Sequence, residues 1–325
     1  MGITTACFDR HNRDYSQKLS ETKKPFRSRW PAHLFHHTTL ANAASILRSG
    51  SLEARADREG KFENVAALDV LGTKTDAHGF VRLYFRPRTP TQFHIEGISR
   101  RSDRVKFPDA HAPTLVMLVF DAKSILCIED TRFSAGNMQQ SGTAICNGDQ
   151  SFTNIPFAKV YHDSGIDEDY SIIHHRCAEV LAKSPMNLIS LRSIYCRSAP
   201  ERDMLIHLLG SDAADWEKRI KISDDLRVFT KRYPFLQELR LSPKGLVFRI
   251  NPRDDRALLN VEISLTNKSG QQIINFAHDS LRASPQGAPN WMIKSELEAG
   301  EYEASVRIDG EIAFRAPLHL VGEPF

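Results

Sequence analysis

The chain has 325 residues, 43 Lys and Arg against 40 Asp and Glu, and a net charge of +3. That length suits two domains, and a hydrophobic fraction of 41% with 26% charged residues is that of an ordinary globular protein, not a disordered or fibrous one. No apolar run is long enough to span a membrane, and the first residues lack the apolar core of a secretory signal, so a cytoplasmic protein is expected. The charge permits nucleic-acid binding without demanding it. Cys7, Cys127, Cys146, Cys177 and Cys196 are odd in number and lack metal-ligand spacing, so they read as reduced thiols and no metal site is expected.

Residues 1–32 form a basic stretch, read as an arm or short helix (Arg10, Arg13, Lys18, Lys23, Lys24, Arg27 and Arg29). A short apolar segment begins at Leu34, and "TTLANAASILRSGSL" then predicts a helix. Thr39 is its N-cap, Leu40, Ala43, Ile46 and Leu47 form the stripe, and Gly50 ends it. Residues 51–80 are charged and loop-rich. In "VRLYFRPRTPTQFHI", Val81, Leu83 and Phe85 alternate with Arg82, Tyr84 and Arg86, the period of a half-buried strand. Pro87 and Pro90 stop it and frame Arg88, a rigid fork of donors suited to phosphate or carboxylate. Arg82 lies in the freer half of the run.

"TLVMLVFD" (114–121) is continuously apolar and predicts a central strand. Residues 129–155 read as a long loop. "CAEVLA" is a short strand that places Glu179 among Ala178, Val180, Leu181 and Ala182, where a carboxylate needs a partner or a purpose. "ISLRSIYCRS" is a further strand, and "APERDMLIHLLG" a helix with Pro200 in its first turn. Beyond about residue 230 the texture changes to short alternating runs, from "GLVFRI" to "EIAFRAPLHL". These predict a β-sandwich, and "LEAGEYEASV" has the form of an immunoglobulin-like tyrosine corner at Tyr302. Acidic and basic residues balance in 231–325, so the surplus charge lies in the preceding part.

Taken singly, His36 or Arg88 has a structural reading: a hydrogen-bonded junction histidine, a solvated strand end. Taken in order, the stretches resemble the DarT family of nucleic-acid ADP-ribosyltransferases. "LFHHTTLANAASILRSGSL" keeps His36, Thr38, Asn42, Ile46, Leu47 and Gly50 of a segment like LYHxTHxxNLxxILxxGxL. "LYFRPRTPT" keeps Tyr84, Phe85, Pro87, Arg88 and Pro90, and "FSAGNMQQSG" keeps Gly136 and Asn137 of the substrate loop. "RCAEVLA" keeps Arg176, Ala178 and Glu179. The resemblance spans roughly 33–210. Thr39 stands where the family often has a second histidine, and Thr91 where it often has methionine.

The resemblance implies an ADP-ribosyltransferase-like split sheet at 33–230; the 1–32 arm before it and the immunoglobulin-like sandwich at 231–325 lie outside the resemblance, and together the three parts make an α+β fold. The resemblance implies NAD as co-substrate and no metal. Glu179, Arg88 and His36 are the implied catalytic residues, with Thr38, Tyr84 and Arg176 joining His36 and Arg88 around the cofactor. Tyr84 is preferred over Phe85, because the two point to opposite faces of a strand. Arg132, Phe133, Asn137, Gln139 and Gln140 are candidates to read a base. The acceptor expected is a base in single-stranded nucleic acid, DNA ahead of RNA, with the protein acting as a bacterial toxin or anti-phage effector. A neutralising antitoxin is expected, with the sandwich as its candidate docking site. The rival readings are a protein acceptor on the same fold and a catalytically dead binding module.

Overall fold

The computed structural model describes residues 2–58, 79–104, 110–252, 257–283, 285 and 288–322. Most of the stretch expected to be loop-rich, 51–80, therefore lies outside the described residues. Among those residues no helix is long and apolar enough to cross a membrane.

Helix α1 (Thr5–Ser20) begins at Thr4, whose hydroxyl accepts the Cys7 N–H at 3.2 Å. It buries Cys7, Phe8, His11 and Leu19. Trp30 is also fully buried, its indole N–H donating to the Leu226 carbonyl at 2.9 Å. The first 32 residues thus pack into the body of the protein: Arg10, Arg13, Lys18, Lys23 and Arg29 are exposed, whereas Lys24 and Arg27 turn inward to Asp163 and the Tyr161 carbonyl.

Strand β1 (His33–Thr39) runs into helix α2 (Leu40–Ser49). Thr39 caps the helix by accepting the Asn42 N–H, and Gly50 closes it at φ 67°, a left-handed turn that glycine adopts without strain. Strand β2 (Phe80–Tyr84) ends before Pro87, and Pro90 opens a new helix, α3 (Pro90–Ile95), capped by Thr89. Strands β3 (Leu115–Asp121), β4 (Arg132–Phe133), β5 (Glu179–Lys183), β6 (Leu191–Tyr195) and β7 (Ile220–Lys221) complete a seven-stranded sheet in the order β4-β5-β2-β1-β3-β6-β7. The continuous apolar run at 115–121 is buried on both faces and lies inside the sheet. Helix α4 (Ala199–Leu209) starts with Pro200 in its first turn and ends at Gly210, φ 59°.

The sheet opens between β1 and β2. β1 pairs with β3 along seven residues but with β2 at a single position, Phe35 opposite Tyr84. β2 turns instead to β5, which it follows from Phe80 opposite Lys183 to Tyr84 opposite Glu179.

The 129–155 stretch is not one long loop. It contributes β4 and a helical turn, Gly148–Thr153, and sends Phe133 and Phe152 into the core with their rings 5.4 Å apart.

The C-terminal residues form two antiparallel sheets. One is β8 (Leu236–Ser242), β9 (Gly245–Ile250) and β12 (Trp291–Lys294), in that order. The other runs β11 (Gln272–Leu281), β10 (Leu259–Asn267), β13 (Gly300–Ile308), β14 (Glu311–Leu320). Phe248 of the first and Phe276 of the second lie 6.2 Å apart, and the Tyr302 hydroxyl donates to the Glu298 carbonyl at 2.9 Å. These sheets join the preceding part through buried contacts. The Ser198 hydroxyl donates to the Leu236 carbonyl at 2.7 Å, and the Arg197 guanidinium lies 4.8 Å from the centre of the Phe235 ring.

Candidate active site

The opening between β1 and β2 is where the family-like residues gather. His36 fills it: its Nδ1 lies 3.0 Å from the Arg82 carbonyl. A carbonyl can only accept, so Nδ1 carries the proton and Nε2 is left as an acceptor. Burial lowers the His36 pKa and keeps the ring neutral. Thr38 is buried two residues further along β1.

Glu179, the first residue of β5, is 1% exposed. The partner its apolar surroundings require is Arg82. Nε and Nη2 of Arg82 each lie 2.5 Å from a different oxygen of the Glu179 carboxylate, a two-pronged ion pair. The carboxylate holds the Arg82 guanidinium above its usual range. Arg82, expected in the freer half of the run, is thus held by the carboxylate. Spacing along β2 gave no sign of it, because the pair forms diagonally across two strands.

Tyr84 is the strand partner of Glu179 and shares its face, whereas Phe85 is buried against Phe157. Burial, then the Glu179 carboxylate, raise the Tyr84 phenol pKa, and the Thr91 side chain hydrogen-bonds it. His37, also unnoticed in the sequence, stacks on Tyr84 with ring centroids 5.2 Å apart.

A second cluster adjoins the first. Asp163 takes ion pairs from Arg86 at 2.8 Å, Arg88 at 2.5 Å and Lys24 at 3.3 Å. Arg86 is 1% exposed and further donates to the His162 carbonyl. Desolvation lowers its pKa to about 9, partly offset by Asp163. Arg88 is held by more than its prolines. Its φ is 55°, a left-handed conformation that costs a non-glycine residue about 1–2 kcal/mol. Its guanidinium lies over Phe26 at 5.3 Å and Trp30 at 5.6 Å. Arg176 reaches the same region, bonding His162 Nδ1 and the Ser164 carbonyl, each at 2.6 Å. Among the described residues the buried Nε atoms of Arg88 and Arg176 have no acceptor. Desolvation lowers the pKa of Cys177's neighbour Arg176, while the Cys177 thiol itself is pushed up to about 12, by burial first and Glu179 second.

The loop candidates divide. Arg132 and Gln139 are exposed, Arg132 lying 5.3 Å over the Phe80 ring. Asn137 is tied by its backbone N–H to the His174 carbonyl and caps Gln139 N–H with its side chain. Gln140 is exposed. Phe133 is 1% exposed and belongs to the core, so it is not placed to stack on a base. Gly136 lies so close to His174 that a Cβ would meet the ring at 2.1 Å, so a larger residue there would have to displace that side chain.

The split sheet thus brings a buried carboxylate and a neutral histidine to its opening. The model of the family described as "ssDNA thymidine ADP-ribosyltransferase, DarT" matches residues 35–228. The chain belongs to the DarT family and is an NAD-dependent ADP-ribosyltransferase. Among solved structures it is similar to Thermus sp. 2.9 DarT in complex with ADP-ribosylated ssDNA, at 17% identity and TM-score 0.48, covering 60% of this chain and 96% of that one. The same Thermus protein in complex with carba-NAD+ gives 17% identity and TM-score 0.47, over 60% and 97%. Thermosipho africanus DarTG in complex with ADP-ribose gives 17% identity and TM-score 0.47, over 67% and 55%. No curated protein matches the chain.

Proposed function

We propose that the protein transfers ADP-ribose from NAD to a thymidine base of single-stranded DNA, with Glu179 as the catalytic carboxylate. The observation that carries the proposal is the placement of Glu179, buried at the opening of the sheet beside Tyr84 and near the Arg86–Arg88–Arg176 cluster. The bond between nicotinamide and the ribose carbon breaks, nicotinamide leaves with the bonding pair, the base nitrogen bonds to that carbon, and the proton the nitrogen loses passes to Glu179 and on to water. Glu179 accepts from a ribose hydroxyl and opposes the positive charge that develops on the ribose carbon, an electrostatic contribution on the order of 3 kcal/mol. Before it can do so, one Arg82 contact opens. Arg82 is the partner able to leave, since its side chain is 30% exposed and that of Glu179 only 2%.

Neutral His36 offers Nε2 to a second hydroxyl, Thr38 shares the face of His36 two residues along β1, and Tyr84 stands beside Glu179. The buried, unbonded Nε atoms of Arg88 and Arg176 fit oxygen acceptors such as those of a pyrophosphate. Arg132, Asn137 and Gln139 stand on the acceptor side. A base must leave its stack to present a reactive nitrogen, which favours single strands.

The domain limits proposed are 1–32, 33–230 and 231–325, with an immunoglobulin-like sandwich at the C-terminus. The Tyr302 hydroxyl bond and the Phe248–Phe276 contact support that reading. A toxin role in the cytoplasm goes with the family. The exposed Trp291 and Met292 on the edge strand β12 give an antitoxin a place to dock. The test is label transfer from NAD to matched single-stranded DNA, duplex DNA, RNA and protein. Label on single-stranded DNA is expected; label on duplex to the same extent, or on protein alone, overturns the proposal.

A further inference from the structure

Arg88 is a non-glycine residue at φ 55°, and something must hold it there. Its backbone N–H donates to Oε1 of Gln92 at 2.7 Å. Gln92 is fully buried and spends both amide hydrogens elsewhere: Nε2 lies 2.8 Å from Glu96 Oε2 and 2.8 Å from the Val228 carbonyl. Glu96, 1% exposed, in turn accepts the backbone N–H groups of Thr230 at 2.9 Å and Lys231 at 2.8 Å. The partners fix the amide orientation, since Arg88 N–H can only donate and the Val228 carbonyl can only accept. A continuous chain of hydrogen bonds, buried at its centre and part-buried at its ends, therefore runs from Arg88 to the segment that leads into the C-terminal sheets.

We propose that Gln92 and Glu96 are positioning residues for the transfer reaction, which hold Arg88 in its left-handed conformation and tie that geometry to residues 228–231. The inference rests on the reading of Arg88 as part of the active site. Glu96 does not touch Arg88; it acts through Gln92, whose side chain it anchors. Without the Gln92 oxygen the part-buried Arg88 N–H loses its acceptor, and the backbone relaxes out of the left-handed region. The guanidinium then swings away from Asp163 and the site. Methionine matches Gln92 in length and flexibility, donates nothing to Glu96 or the Val228 carbonyl, and accepts only weakly through its sulfur.

The full-length wild type, Gln92→Met, Arg88→Ala and the double variant are compared for label transfer from NAD to single-stranded DNA, followed for hours so that slow proteins remain measurable. NAD affinity is titrated alongside. Gln92→Met is expected to lower turnover at least tenfold in the wild type and less than twofold in Arg88→Ala, because its effect passes through Arg88. A loss by the same factor in both backgrounds, or no loss in either, overturns the inference. Wild-type turnover in Arg88→Ala alone overturns instead the reading of Arg88 on which it rests. Glu96→Gln, which keeps the volume, serves if Gln92→Met does not fold. A threefold or greater loss that vanishes without Arg88 supports the relay, and an unchanged or background-independent turnover sinks it.

Discussion

Arg82 grips Glu179 through two atoms, Nε to Oε2 and Nη2 to Oε1, each at 2.5 Å, across two strands whose register sets Arg82 opposite Leu181 and Glu179 opposite Tyr84. The carboxylate is buried and the guanidinium partly exposed, and this asymmetry decides what each substitution does.

Glu179→Gln is expected to lower transfer to single-stranded DNA by at least a hundredfold, the scale of losing one preorganised electrostatic group. The fold survives, because the Arg82 it leaves behind can turn into water. Near wild-type turnover, measured with labelled NAD, would remove Glu179 from the mechanism.

Arg82→Ala is expected to lower the melting temperature more than Glu179→Gln. It strands a carboxylate that is 1% exposed, a change worth on the order of 3 kcal/mol. Parallel thermal melts of the two variants check the order; the reverse order would mean that the pair is loose in solution.

Asp163→Asn removes the anion that Arg86, Arg88 and Lys24 share. Arg86 is fully buried, so its uncompensated charge destabilises the protein by roughly 3 kcal/mol. Arg88 loses its aim at the same time. A variant with both unchanged stability and unchanged NAD affinity would show the cluster to be incidental.

Stability is expected to fall as the pH drops below about 6.5. Burial lowers His11 and His37 to about 3. Both take up protons more readily when unfolded, so the stability they contribute is complete above the unfolded pKa near 6.5 and lost progressively toward pH 3, by about 2 kcal/mol per histidine at pH 5. His11 sits among Tyr15, Phe152 and Phe157 with its Nε2 3.1 Å from the Tyr161 hydroxyl. His11→Asn, which cannot protonate, should flatten the melting curve between pH 7 and 5; an equally steep curve would place the acid sensitivity elsewhere.

A protein ending at residue 230 is expected to fold with a lower melting temperature than the full chain. Its loss uncovers α4 where Ser198 meets Leu236 and where Met204 Sδ accepts the Arg315 N–H at 3.1 Å. It also removes the Lys231 N–H that Glu96 accepts. An insoluble product would mean that the two parts form one folding unit.

The sequence by itself determined what is local or periodic. Thr39 and Gly50 bound α2 because capping and left-handed turns are properties of single residues and their near neighbours. The 115–121 run is an interior strand because an apolar segment must be covered on both faces. The lone carboxylate at Glu179 was legible as an anomaly in its strand. The tertiary structure alone decided which charges meet. Arg82 and Glu179 are 97 residues apart, and Asp163 lies 75 and 77 residues from the arginines it binds. No pattern in the chain marks Asp163 as the anion of that cluster, or Phe133 as core and not base reader. Such pairings follow from strand register and from the crowding of side chains in three dimensions, where a buried charge takes the partner that the fold brings within reach.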